Sequence, residues 1–255
     1  MEKNYFFSFD FICRVDSVFY NYSIGKVNQG DLLYDGNRYY LSLGRNISFE
    51  ELIIDEIGFD DDISIIYKSF LSKNVVDIIH NIVKQNFSLY RLVIPMFLSD
   101  EIRNLLKRAS KKLNKNVEFI DYSNFRNSRT IKKQTGQQLV LFPDLWSVYN
   151  EIDNEYMSLD GVEMLNSKST NIQKGKTFWN IKSGVTNTLI CTHSQIFQDW
   201  LNLSKIIIYS PHQRYYKNQK DPRYSTSDIL LLYEECYKAE VFYEKDYRLF
   251  EKYKI

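Results

Sequence analysis

Apolar and polar positions alternate with a period of two through most of the first 45 residues. Phe7, Phe9, Phe11 and Cys13 fall on one side of an extended chain, and Val18, Tyr20 and Tyr22 continue the alternation. Asn28-Gln29-Gly30-Asp31 and Asp35-Gly36-Asn37 punctuate it as turns, with strands expected at Leu32–Tyr34 and 38–43. Residues 48–62 are acidic, from Glu50-Glu51 to Asp60-Asp61-Asp62, and read as a short helix or linker with a solvated charge run. The period then changes to three and four. Ile66, Phe70, Val75, Ile78, Ile79, Ile82 and Val83 predict helical structure over 63–113, with Asn74 as one cap and Asp100 capping a further helix at 101–113. Later in the chain the apolar run Ile206-Ile207-Ile208 ends at Tyr209-Ser210-Pro211-His212. A short β-branched run of this kind reads as a buried strand of a parallel sheet. Strands are expected near 117–120, 138–142, 187–191, 204–208 (the run just named) and 239–243. The predicted fold class is α/β: a small β-rich module with a helical tail over 1–113, then a mostly parallel sheet domain over 114–255.

Composition narrows the picture only a little. At 255 residues and 44% apolar content the chain can bury one large core or two ordinary ones. Its 33 basic and 32 acidic residues nearly cancel, so no global field selects nucleic acid or membrane, although a local patch still can. The 20 tyrosines and 17 phenylalanines fit a biased base composition that also enriches Asn, Ile and Lys. The less favoured reading is a surplus of rings for stacking on bases. Cys13, Cys191 and Cys236 show no metal-binding spacing, and three histidines are too few and too scattered for a zinc site, so no metal or cofactor is expected. No secretory leader is expected, since residues 1–10 lack a basic start followed by a long apolar core, and no run approaches the roughly 20 apolar residues of a membrane span. A soluble, reducing, cytoplasmic setting follows as the expectation, without a membrane partner.

The candidate chemistry lies in the loop after 206–208, since open parallel sheets place their sites beyond the carboxyl ends of strands. There Arg214, Tyr215, Tyr216, Lys217, Lys220, Arg223 and Tyr224 interleave cations with rings. Rings stack on bases and cations meet phosphates, which suits single-stranded nucleic acid. The alternative is that Tyr215, Tyr216 and Tyr224 simply pack an irregular loop onto the sheet, and the sequence leaves both open. Arg103, Lys107, Arg108, Lys111 and Lys112 make a second basic face on the expected 101–113 helix. It suits a phosphate backbone, or equally the negative end of a helix dipole.

Several ordered blocks carry a resemblance. Tyr216, Lys217, Pro222, Arg223, Tyr224 and Asp228 fall without a gap in the register Tyr-Lys-x-x-x-x-Pro-Arg-Tyr-x-x-x-Asp. Upstream stand residues 136–144, ending in Pro143-Asp144, then Trp179, Ile181, Ser183 and Gly184, then residues 189–197 with Thr192 and Ser194. In these blocks the chain resembles the first helicase domain of the primosomal protein N-prime (PriA-type) replication-restart helicase family. The resemblance implies a RecA-like sheet domain. It also implies an N-terminal module that captures the 3′ end of a nascent strand at a fork. Tyr20-Asn21-Tyr22 and Gly30-Asp31 fit that module's pattern loosely. Thr192 and Ser194 sit in a motif that helicases set against the DNA backbone, with Cys191 and His193 replacing its Gly and Arg.

The catalytic half of the resemblance is missing. ATP binding by this fold needs a glycine-rich loop ending in Gly-Lys-Ser/Thr, whose amides and lysine hold the phosphates. Residues 121–130, where it belongs, contain no glycine and no Gly-Lys pair. Gly175-Lys176-Thr177 spells the tripeptide, but Thr170 stands where the loop's first glycine should be, and Trp179 places it on a helix. Tyr209 and Pro211 stand where the family has its magnesium-binding and water-polarising acids, leaving His212 alone of that motif. Residues 241–246 lack the small residues of a later motif, and a second helicase domain is not expected. The expectation is a non-catalytic relative that binds forked or single-stranded DNA through Arg214, Tyr215, Tyr216, Lys217, Arg223, Tyr224, Thr192, Ser194, Tyr20, Asn21 and Tyr22. Three alternatives stand beside it. One is a subunit of a replication or primosome assembly that touches protein and not DNA. Another is a helicase active only with a partner chain. The last is an enzyme in which Asp144, His193 and His212 converge on one pocket.

Overall fold

The computed structural model describes residues 3–9, 16–21, 27–35, 38–45, 47, 54–58, 63–86, 88–98, 102, 136–152, 158–211, 216–218 and 221–244. The chain divides into two compact units, Met1–Phe119 and Ile120–Ile255. It is an α/β protein with one mixed sheet and one parallel sheet among the described residues.

In the first unit β1 (Asn4–Ser8), β2 (Asp16–Asn21), β3 (Leu32–Tyr34), β4 (Tyr39–Arg45), β5 (Ile54–Gly58) and β6 (Ser64–Tyr67) form a six-stranded sheet. Its order is β5-β2-β1-β4-β3-β6, with β2 and β5 parallel and the other pairs antiparallel. All five residues of β1 are buried, so this interior strand is covered on both faces. Phe6, Phe19, Val27, Leu33 and Tyr40 pack as one cluster. Helix α1 (Lys73–Gln85) buries Val75, Val76, Ile78, Ile79, Ile82 and Val83, the stripe its period of three and four requires. Each such side chain contributes about 1.5–3 kcal/mol relative to leaving it exposed. The short α2 (Tyr90–Val93) and a 3-10 turn at Ile94–Phe97 follow.

Three expectations for this unit are corrected. The acidic stretch contains a strand, β5, which pairs with β2 and directs Glu56 to Lys3 at 2.8 Å. Ile66 belongs to the edge strand β6 and is 38% exposed, so its place in a helical period was accidental. Helix α1 is capped by Ser72, whose hydroxyl accepts from the Val75 amide, and not by Asn74. The expected helix at 101–113 lies outside the described residues, apart from Ile102, as do its basic side chains.

The Gly30-Asp31 turn ties the sheet to the segment before α1. The fully buried Asp31 carboxylate accepts from the Asn28 amide at 2.9 Å and the Ser69 amide at 2.8 Å. Gly30 has φ +85°, and a Cβ there would lie 1.9 Å from the Leu71 carbonyl oxygen. Only glycine permits that approach.

In the second unit β7 (Gln137–Phe142), β8 (Val162–Leu165), β9 (Thr188–Thr192), β10 (Leu203–Tyr209) and β11 (Glu240–Glu244) form a sheet of order β11-β10-β7-β9-β8. All four pairings are parallel. The crossover helices are α3 (Leu145–Glu151), α4 (Asn171–Lys182) and α5 (Thr226–Tyr237). The β7-to-β8 crossover runs one way along the sheet and the later ones run the other way. Right-handed connections therefore put α3 on one face and α4 and α5 on the opposite face. Accordingly Val148 of α3 packs with Val140, Phe142 and Ile190. Expected strands near 138–142, 187–191, 204–208 and 239–243 correspond to β7, β9, β10 and β11, while the one near 117–120 lies outside the described residues.

Candidate functional site: the carboxyl rim of the parallel sheet

Parallel strands send all their carboxyl ends to one rim, and the rim opens a crevice where neighbouring strands' connections diverge. Here that point lies between β7, whose chain departs toward β8, and β10, whose chain departs toward β11. The crevice is occupied from within. The Tyr216 hydroxyl donates to the Tyr209 carbonyl at 2.6 Å, with the Leu141 carbonyl at 3.4 Å. One phenol thus closes on the ends of both strands. Its ring is 4% exposed. Burial pushes the phenol well above its ordinary pKa, and Cys191 and Asp144 nearby add to the shift. Beside it the Phe142 and Tyr209 rings stack at 4.4 Å and 11°.

The other described residues of the loop are held by bonds of their own. Lys217 bridges Ser225 in antiparallel fashion, the Asn218 amide donates to the Tyr224 carbonyl at 2.9 Å, and the Asn218 side chain donates to the Pro222 carbonyl at 2.9 Å. Tyr224 packs edge-on against Phe197 at 5.1 Å, and its burial pushes the phenol up to about 12. The candidate residues therefore divide. Tyr216 and Tyr224 are buried and offer no open face to a base. Lys217 is exposed, and the Arg223 side chain is 78% exposed with Asp221 at 3.6 Å. Arg214, Tyr215 and His212 lie outside the described residues.

On the neighbouring strand Thr192 is buried and Ser194 is exposed. His193 is half-buried with no hydrogen-bond partner at Nδ1, and burial lowers its pKa. Asp144 leaves the end of β7 next to the end of β9, because Phe142 and Thr192 are register partners. Its carboxylate is engaged as the cap of α3, accepting from the Ser147 amide at 2.8 Å and the Ser147 hydroxyl at 3.1 Å. Among the described residues no group of three or more His, Cys, Asp or Glu side chains is placed to hold a metal ion.

The tripeptide Gly175-Lys176-Thr177 lies inside α4, where its amides serve the helix and cannot wrap a phosphate. The Thr177 hydroxyl donates to Glu163, which also accepts from Asn180 at 2.6 Å and Thr186 at 2.9 Å. This threonine serves the packing of α4 on β8. In the first unit Tyr20 and Asn21 lie on β2, and Tyr22 lies outside the described residues. The Lys3 ammonium sits 4.4 Å from the centroid of the half-buried Tyr20 ring.

Two residues that sequence reasoning passed over stand out on the rim. Trp146 is 74% exposed and Tyr149 is 56% exposed, on the outer face of α3. Residues 145–149, Leu-Trp-Ser-Val-Tyr, look like any apolar helical stretch, and only burial separates Val148 from its neighbours. Among the described residues no helix is long and apolar enough to cross a membrane. Compared with known proteins, the chain matches no family model and no curated protein.

Proposed function

We propose that this chain is a non-catalytic, RecA-like relative of the replication-restart helicases, which binds forked or single-stranded DNA from the cytoplasm, alone or within a replication assembly. The observation that carries the reading is the segment after β10, at residues 216–218 and 221–225. It is pinned to the carboxyl rim by buried tyrosines while it holds the Lys217 and Arg223 side chains out in water. Ordering cations before a ligand arrives reduces the entropy lost when they meet phosphates. The catalytic part of the resemblance has no support in the sequence, which lacks the phosphate loop at 121–130 and the acids at 209 and 211. The Tyr216 side chain also fills the crevice in which such a sheet would seat a ligand.

Direct binding tests the reading. Lys217→Ala with Arg223→Ala should weaken binding to a labelled single strand regardless of its sequence. The slope of log K against log salt should flatten by about 1.4, at about 0.7 for each single-strand phosphate that the variant no longer neutralises. An unchanged slope would remove these cations from the interface.

A further inference from the structure

The proposed site needs stacking rings as well as cations, and the tyrosines of its loop are buried. We propose that Trp146 and Tyr149 are the stacking platform for single-stranded nucleic acid on this rim, with Lys217 and Arg223 as its phosphate partners. This inference rests on the DNA-binding reading and specifies which rings would meet the bases.

Trp146 and Tyr149 are three apart on one helix, which makes them neighbours on its surface. Both face solvent, at 74% and 56% exposed, while Val148 between them is 1% exposed and anchors the helix to the sheet. Asn150, also exposed, follows them with hydrogen-bonding capacity and no charge. The pair is tied to the cationic loop through Asp144 and Tyr216. Asp144 caps the helix that carries Trp146 two residues on. The Tyr216 hydroxyl lies 3.4 Å from the Leu141 carbonyl, three residues before Asp144, and Lys217 follows Tyr216. The Tyr216 hydroxyl in turn bonds the carbonyls at the ends of β7 and β10, so rings and cations rise from adjacent strand ends. The Asp144 charge facing this region is engaged by Ser147.

The occupant is a single strand for two reasons. Bases that are already unstacked can lie on a flat exposed indole at little cost, whereas a duplex hides its faces. The cations that follow Tyr216 at the adjacent strand end favour a polyanion over an apolar protein segment.

The chain reports on its own ring. Trp200 is 1% exposed and Trp179 is half-buried, packed edge-on against Phe178 at 5.2 Å, which leaves Trp146, at 74%, as the most exposed of the three tryptophans. Titration with unlabelled oligothymidylate should quench tryptophan emission, with the same midpoint as anisotropy of a labelled strand. Trp146→Phe should abolish the quench and keep most of the affinity. Trp146→Ala should weaken binding about 5- to 150-fold, the equivalent of roughly 1–3 kcal/mol for one missing stack, with an unchanged urea midpoint. Salt-sensitive binding without quenching, and with wild-type affinity in Trp146→Ala, would overturn the platform and leave the cationic rim standing. Binding by neither readout at low salt would overturn the DNA reading itself. Binding of duplex in preference to single strand, without quenching, would also overturn the platform.

Discussion

Tyr216→Phe separates a ring that fixes the rim from a ring that reads bases. The substitution keeps the aromatic face and removes one hydroxyl. That hydroxyl donates to the Tyr209 carbonyl at 2.6 Å and lies 3.4 Å from the Leu141 carbonyl, on a side chain 4% exposed. A neutral hydrogen bond contributes about 0.5–1.5 kcal/mol net, and a buried acceptor left without its donor costs about 1–3 kcal/mol. The Tyr209 carbonyl sits at a strand end, where water can partly replace the donor. The expected loss is therefore about 1–2 kcal/mol. With a urea slope of about 2 kcal/mol per molar, the midpoint should fall by about 0.5–1 M. Tryptophan emission is the right probe, because Trp146, Trp179 and Trp200 all lie in the second unit, so unfolding of the first does not contaminate the transition. Affinity for a single strand should stay within about twofold at a urea-free, salt-matched condition, since the loop remains folded. An unchanged midpoint together with weakened DNA binding would refute the reasoning, because the phenol would then be spending its hydroxyl on a ligand.

Other consequences are measurable in the same way. Gly30→Ala should destabilise the first unit by at least about 2 kcal/mol, since a positive φ and a backbone oxygen 1.9 Å from the new methyl group act together; hydrogen exchange in β3 and β4 would show it. Thr177→Val should lower the second unit's urea midpoint by removing a donor to Glu163, whereas Lys176→Ala on the exposed side of α4 should change stability by less than about 0.5 kcal/mol. His80 donates from Nε2 to the Leu43 carbonyl at 2.9 Å, so in its neutral form Nδ1 accepts from the Tyr90 hydroxyl at 2.6 Å. Burial lowers its pKa, so below about pH 6.5 the unfolded chain takes up a proton that the folded chain refuses. Stability of the first unit should then fall by up to about 1.4 kcal/mol per pH unit as pH drops from 6.5 toward the folded pKa, and His80→Gln should flatten that slope.

The parts of the fold legible in the sequence are those where one local signal had no rival. Ile206-Ile207-Ile208 and the apolar runs of β7 and β9 could only be buried strands, and the stripe of α1 could only face a core. Edge strands were not legible in this way. In β5 the alternation is diluted by Asp55 and Glu56, and the strand is stabilised by pairing with β2 and by Lys3, both distant in sequence. The strand β8 is only four residues long, and its Glu163 looks solvated until α4 supplies Thr177 and Asn180. In β6 the pairing with β3 shifts register at Ile66, and the spacing of Ile66 to Phe70 mimics a helical period. The candidate site was half legible. Interleaved cations and rings located the loop, but composition cannot show that the Tyr216 hydroxyl finds backbone acceptors on two strands. Nor can it show that the indole of Trp146 faces water, because both facts depend on how α3 and the loop cross the sheet.

The most direct test of the central claim is equilibrium binding to a labelled fork bearing a free 3′ end, titrated through salt with and without ATP. Binding that weakens steeply with salt and is unchanged by ATP is the expected result. No binding at low salt, or affinity that shifts when ATP is added, would contradict a non-catalytic DNA-binding role for this rim.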